Sequence, residues 1–385
     1  MKKNLLLMGA AFLVAFLLAE GVLRVIGFEY PSFYRYDLDT GAALRPGAEG
    51  WWQEEGRAFV RINGQGMRDD REIQVKKPEG VYRVAVLGDS YAEALQVDGA
   101  KTFWRLLENK LMQCGYGGGK RIEVLNFGVS GYSTAQELIT LKTRVAPYRP
   151  DLVLLAFLSG NDVRDNSKEI AGPYPRPYFA LADGRLVEDK SFREHWIFKL
   201  KSSWLWQVFQ AASDYSRIIQ LLNKVKNVAG QPLSAPRAEG GVEEIGLDDH
   251  IYLSHPPLVW ERAWQLTESL LTEVRREAER QGARFLLVTL TNPGQVPPNP
   301  EQMRRHAAKL GEADLFYPER RMRALAEREG MDAVFLAEPF ARYAQEHKVF
   351  LHGFPNTQMG GGHWNEAGHA LAADLIAQHL CAAGR

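Results

Sequence analysis

Three observations predict an α/β protein, a doubly wound three-layer sandwich around a central parallel sheet. Apolar runs at Arg83 to Leu87, Ile122 to Leu125, Asp151 to Leu158, Arg284 to Leu290 and Met331 to Leu336 are interleaved with segments of helical period, the alternation that builds parallel βαβ units. The run from Asp151 to Leu158 is almost wholly apolar, as a strand covered on both faces must be. Two polar stretches, Gly88-Asp89-Ser90 and Gly160-Asn161-Asp162, begin where two of these runs end, and parallel sheets bind ligands outside the carboxyl ends of their strands.

The elements follow in order. Lys2 and Lys3 precede an apolar stretch from Leu5 to Ala19 that continues past Glu20 and Arg24 to Phe28. A charged start and an apolar core direct a chain to export. The run reaches the roughly 20 residues of a membrane span only if Glu20 and Arg24 sit near the interface. Residues 1–28 are therefore read as an anchor with the basic end inside and the remainder facing the periplasm or cell exterior; small residues around Glu20 keep a cleaved signal open, and with it secretion. Residues 29–80 form a β-rich lead segment, with alternation at Phe59 to Ile62 before Asn63-Gly64. Its expected role is to cover one edge of the sheet, and Trp51 and Trp52 could instead stack on sugar.

Residues 81–385 hold the main α/β domain. Helices are expected over Thr102 to Leu111, over Thr134 to Arg144, where Ser133 and Gln136 have capping-box spacing, and over Trp260 to Gln281, whose apolar positions recur at helical period. Between them lies an insertion, 167–258. Its part from Lys199 to Val225 is helical and aromatic-rich, expected to cap the core or act as a lid over the site, while Ala229 to Asp249 reads as a mobile loop.

Basic and acidic residues balance at 47 each, so nothing in the composition draws nucleic acid to this chain. Two cysteines, Cys114 and Cys381, are too few for a disulfide scaffold and lack metal-ligand spacing; they could pair in an oxidising compartment, but two buried free thiols are the expectation. His352, His363 and His369 form no ligand pattern for a metal. No nucleotide cofactor is expected, because the Gly-rich stretch at Tyr116 to Gly119 follows a helix rather than a strand.

Four short blocks carry the chemistry: Ser90 in Gly88-Asp89-Ser90, Gly128 in Asn126-Phe127-Gly128, Asn161 in Gly160-Asn161-Asp162, and His363 in His363-Trp364-Asn365. Together and in this order they resemble the SGNH (GDSL-like) hydrolases, a family of esterases, lipases and related acyl-transfer enzymes. The resemblance covers roughly residues 83–166 and the tail from about 284. It implies that Ser90 is the nucleophile, that His363 is its base, and that the Ser90 N–H, the Gly128 N–H and the Asn161 amide form the oxyanion hole. Asp89 and Trp364 are expected beside the substrate. Ser90 needs a base because a free hydroxyl is a weak nucleophile, and fixed donors in a dry site stabilise a tetrahedral oxyanion. His369 lies in the helix after Asn365 and is read as a packed or surface residue.

One family feature is missing. The aspartate that usually precedes the catalytic histidine would fall at Gly360 or Gly361, inside Met359-Gly360-Gly361-Gly362. A backbone carbonyl or another carboxylate would have to orient the imidazole, and the triple glycine suggests a flexible loop that assembles only with substrate or partner bound. Three functions remain in play. An exported esterase would remove acyl groups, most simply acetyl, from a carbohydrate or cell-envelope polymer through acyl-Ser90. An O-acyltransferase would pass the same acyl group to an envelope or exported polysaccharide. A binding or assembly protein would keep the fold but not the chemistry.

Overall fold

The computed structural model describes residues 2–229, 248–311 and 313–383. The chain begins with α1 (Lys2–Val25), followed by two small antiparallel hairpins, β1 (Tyr34–Asp37) with β2 (Gly41–Leu44) and β3 (Glu49–Trp52) with β4 (Ala58–Arg61). Next come β5 (Val81–Gly88), the single turn α2 (Ser90–Glu93), α3 (Phe103–Gln113), β6 (Arg121–Asn126), α4 (Thr134–Thr140), β7 (Leu152–Phe157), α5 (Ser159–Asn166) and α6 (Lys168–Ala171). The insertion contributes β8 (Tyr178–Ala182), β9 (Arg185–Asp189), α7 (Trp196–Lys201), α8 (Trp204–Ser213) and α9 (Arg217–Ala229). The chain then returns through α10 (Leu258–Arg280), β10 (Arg284–Thr289), α11 (Pro300–Lys309), α12 (Tyr317–Glu329), β11 (Ala333–Phe335), α13 (Ala337–His347) and α14 (Glu366–Ala383).

Five strands form one parallel sheet in the order β11-β10-β7-β5-β6. By position among the sheet strands this is 2-1-3-4-5, so the winding reverses between β5 and β7, and a crevice opens there at the carboxyl ends. Side-chain alternation divides the sheet into two cores. Ala85, Leu87, Val153, Leu155 and Leu287 face α4, α10 and α12, whereas Val84, Val86, Leu152, Leu154 and Leu286 face α3, α13 and α14. Both faces are therefore dry, which is why these strands read as continuous apolar runs rather than as alternation. The expected helix from Thr134 to Arg144 is regular only to Thr140 and then widens into a π turn over Leu141–Val145. Half of its predicted capping box is formed, Ser133 N–H donating to Gln136 Oε1 at 3.2 Å.

Three expectations are corrected. Cys114 and Cys381 are not free thiols: they form a disulfide across 267 residues of sequence, joining the end of α3 to α14. The lead segment does not simply cover a sheet edge. Its small core of Phe33, Leu44, Ala48, Val60 and Ile62 packs on Leu95, Val129 and Tyr132, residues of the loops after β5 and β6, so it sits beside the crevice. Finally, α7 to α9 make their polar contacts with α1 and the lead segment rather than closing over Ser90: Arg45 grips Asp214 through two bonds of 2.6 and 2.7 Å, and Lys224 pairs with Glu54 at 2.8 Å. The predicted loop from Ala229 to Asp249 lies largely outside the described residues.

Candidate active site

Strand β5 is buried to its last residue and delivers the chain into a tight turn. Gly88 is required there, because a Cβ would lie 2.8 Å from the Ala92 side chain. Asp89 caps α2, its Oδ1 accepting from Tyr91 N–H at 3.0 Å. Ser90 opens that helix and keeps 7% exposure. The turn ends at Ala94, which adopts the left-handed φ of 56° that a residue with a side chain rarely takes. Arg68 from the lead segment holds it, donating to the carbonyls of Glu93 (2.8 Å), Ala94 and Val97. Glu93 completes this support, accepting from Ser130 N–H and from Tyr34 Oη–H at 3.0 Å; burial pushes its carboxyl up.

The two other strand ends bring the expected oxyanion donors to the same turn. Gly128 passes so close to α2 that a Cβ would stand 2.5 Å from Ala92 Cβ and 2.8 Å from Glu93 N. Its N–H donates to Asn126 Oδ1 at 2.9 Å, so an oxyanion would share or take over that hydrogen. Asn161, in the first turn of α5 after β7, donates from Nδ2 to Asp89 Oδ2 at 2.8 Å. One amide hydrogen is thus engaged and fixes the plane of the group, and the second is left to point elsewhere.

Asp89 and Trp364 do not occupy the places expected of them. Both are at 0% exposure. Asp89 works behind the site, joining the Ser90 turn to Asn161. Trp364 donates its indole N–H to Thr291 Oγ1 at 2.7 Å and packs against Tyr91 and Phe340, each with ring centroids 5.2 Å away. Neither side chain is exposed to the crevice, and each is engaged with groups on neighbouring elements.

His363 reaches the site through Tyr91, the residue after Ser90: their rings lie 5.1 Å apart. The acid absent from positions 360 and 361 is supplied by Glu55, from the turn between β3 and β4. Glu55 Oε2 lies 2.5 Å from His363 Nδ1, and Oε1 accepts the His363 backbone N–H at 2.8 Å. The carboxylate therefore grips both the ring and the main chain of a residue 308 positions away. With Nδ1–H donated to a carboxylate, the tautomer is set and Nε2 is the basic nitrogen.

Of the three glycines, Gly362 is the one this contact requires; Gly360 faces the Phe350 ring, where a Cβ would lie 2.8 Å from Cε1. A Cβ on Gly362 would lie 2.1 Å from Glu55 Oε1, and Gly362 sits at φ +65. The loop is also pinned from below. Tyr91 Oη–H donates to the Gly362 carbonyl at 3.1 Å, and His352 Nδ1 lies 3.0 Å from the same oxygen. His352 Nε2 meets Thr291 Oγ1 at 2.8 Å, so Trp364, Thr291 and His352 form a buried relay ending at the carbonyl just before His363. His369 is a packed residue: its Nδ1 accepts from Phe103 N–H at 3.3 Å, and burial pushes its pKa down to about 3.

Sequence alone does not single out Glu55. Nothing distinguishes it there from Glu54, and it lies in a segment assigned to edge covering. The available signal is Gly362, since a glycine next to His363 marks close approach by another group. Its own turn is locked at Gly56, which exchanges hydrogen bonds of 2.9 Å with the Asn356 side chain, and by Trp52, whose indole N–H donates to the Glu55 carbonyl at 2.8 Å. Trp52 is thus a structural prop, while Trp51 remains 36% exposed.

A second group of acids lies behind Asn161. Glu137 and Asp162 are fully buried, and the carboxyls of both are held well above the usual range, first by burial and then by neighbouring carboxylates, Asp89 for Glu137 and Glu137 with Asp89 for Asp162. Asp162 Oδ2 accepts from Leu158 N–H at 2.9 Å.

Among known proteins, no family model and no curated entry matches the sequence. Solved structures do match. The chain is similar to TesA at 16% identity, with 77% of this chain and 97% of that one covered and a TM-score of 0.37. It is similar to the acetyl xylan esterase AlAXEase at 15% identity, 76% and 97% coverage and a TM-score of 0.39. For the acetylxylan esterase Axe2 of Geobacillus stearothermophilus the figures are 13%, 78%, 94% and 0.38. At such identities the functional argument stays with the chain's own residues.

Proposed function

We propose that the chain is a serine esterase of the SGNH type, held at a membrane by α1 with its catalytic domain outside, that removes acyl groups from a carbohydrate or cell-envelope polymer. The observation that carries the reading is Glu55 on His363 Nδ1: it supplies the acid whose absence was the one argument for a binding protein without turnover. In the proposed reaction His363 Nε2 takes the Ser90 hydroxyl proton as Oγ attacks the ester carbonyl carbon. Ser90 N–H, Gly128 N–H and the second Asn161 amide hydrogen receive the oxyanion, each such donor contributing about 3 kcal/mol. Collapse breaks the ester C–O bond, the leaving alcohol takes the proton from His363, and water then releases the acid from acyl-Ser90 by the same steps in reverse order. Acetyl is the simplest acyl group for a nucleophile with so little exposure. Transfer to a sugar hydroxyl instead of water remains the alternative outcome of the same intermediate.

The test is a serine-directed fluorophosphonate on the full chain in membranes, with the adduct mapped by mass spectrometry. Labelling at Ser90 that is abolished in His363→Ala and strongly slowed in Glu55→Gln is expected. Labelling of the parent indifferent to both substitutions would sink the triad. Acetylated xylan or peptidoglycan fragments then discriminate hydrolysis from transfer: free acetate alone supports the esterase, and an acetylated acceptor glycan supports the transferase.

A further inference from the structure

The insertion carries a surface that a water-soluble domain would not leave open. On α8 the side chains of Trp204, Leu205, Val208 and Phe209 are exposed, Trp204 to 70%, and Tyr215 in the following turn is exposed to 80%. Leu222 on α9 is exposed as well. The opposite sides of these helices are tied down: Gln210 Nε2 donates to the Tyr34 carbonyl at 3.2 Å, Gln220 Oε1 accepts from Tyr30 N–H at 3.0 Å, and Ser213 is buried. The apolar side is therefore a fixed face of the folded chain. Contiguous exposed apolar area of this kind marks a partner surface or a membrane.

Its place relative to α1 identifies the occupant. Glu20 of α1 accepts from the first two amides of α9, Arg217 N–H at 2.9 Å and Ile218 N–H at 3.2 Å, and from Ser216 Oγ at 3.2 Å. Arg24, paired with Glu20 at 2.8 Å, donates to the Tyr215 carbonyl at 2.5 Å. Every charged group at the outer end of α1 is thus spent on the corner between α8 and α9. From Lys3 to Glu20 the helix rises about 25 Å, against about 30 Å of hydrocarbon in a bilayer. A span that keeps Lys2 and Lys3 at one boundary puts Glu20, and with it the start of α9, within about 5 Å of the other. Trp and Tyr are the side chains that favour that depth, with an apolar body and a polar tip.

From these contacts we infer that α8 and α9 lie in the headgroup layer of the outward-facing leaflet, so that the domain rests on the lipid surface as well as being tethered to it. This rests on the anchoring of α1 proposed above, and it also requires that α1 be retained, because cleavage near Glu20 would strip the start of α9 of its acceptor. The domain is then oriented by two contacts, a span and a seated helix pair.

The experiment uses the full chain in phosphatidylcholine and phosphatidylglycerol vesicles whose acyl chains carry bromine near the headgroup end. Single cysteines are labelled with an environment-sensitive nitrobenzoxadiazole at Val208→Cys, at Leu13→Cys in α1 and at Gln302→Cys on exposed α11; the native cysteines are bonded to each other and do not take the label. Loss of emission at Leu13 and Val208 but not at Gln302 is expected. Quenching at Leu13 with none at Val208 overturns the seated helices while leaving the anchor intact. No quenching at either position overturns the anchor and the seating together. A Val208→Cys chain that crosslinks to its own copy and is not quenched also overturns the inference, in favour of a second copy covering the face.

Discussion

Ser90, Gly128 and Asn161 follow neighbouring strands of one sheet, whereas His363 and Glu55 meet from loops at opposite ends of the chain. The first group is placed by backbone: β5, β6 and β7 are in register, and Asp89 ties the Ser90 turn to Asn161. The second is placed by side chains and by glycines that let them approach. A site can therefore combine a half that is rigid because its scaffold is shared with a half whose geometry depends on one carboxylate crossing 308 residues. Damage to the two halves should differ in kind.

The largest effect separates chemistry from orientation. Ser90→Ala should reduce kcat by about 10⁵-fold or more, as loss of a nucleophile does elsewhere. Glu55→Gln should cost about 10⁴-fold in kcat with KM and thermal stability little changed, because the amide no longer fixes the His363 tautomer; an unchanged kcat would show that the histidine is oriented by something else. On the sheet side, Asn161→Ala should lower kcat by about 10²–10³-fold, and an effect confined to KM would remove Asn161 from the oxyanion hole. Gly362→Ala sharpens the contrast without touching a reacting group. The new Cβ would displace Glu55, and a misplacement of about 1 Å is worth about 10²-fold in rate, while the same change at exposed Gly118 should be catalytically silent.

The smallest predicted effect lies beneath the sheet half and depends on pH. The Glu137 carboxyl is held above its usual 4.5 by burial and by Asp89. The folded chain then keeps a proton that the unfolded chain loses, so stability falls as pH rises above about 4.5, until the folded pKa is passed. Glu137→Gln removes this dependence. Its gain in Tm over the parent should grow between pH 5 and pH 8, and an equal gain at both would show that the carboxyl is ionised in the folded state.

The same division explains how much could be read beforehand. Sheet strands declare themselves because each must be apolar on both faces; the fold class was legible for that reason, as were the positions of Ser90 and Asn161 just past the ends of two strands. Residues whose roles depend on long-range approach were not. Asp89 and Trp364 were expected at the substrate, yet both are fully buried, since a motif gives proximity to a site without giving the direction a side chain faces. Glu55 is a carboxylate in a polar turn, and only its distance from His363 gives it meaning. The insertion misled in the same way: aromatic residues at helical period suggest core, but Trp204 and Tyr215 are outward.

The bridge between Cys114 and Cys381 adds an order in time. Cys381 follows Cys114 by 267 residues, so during synthesis the covalent loop cannot close until β6, β7, β10, β11 and the His363 loop have all emerged. The bond persists where thiols are oxidised. Under reducing conditions α14, the helix that follows His363, loses its covalent tie to α3 and keeps only its packing in the shared core.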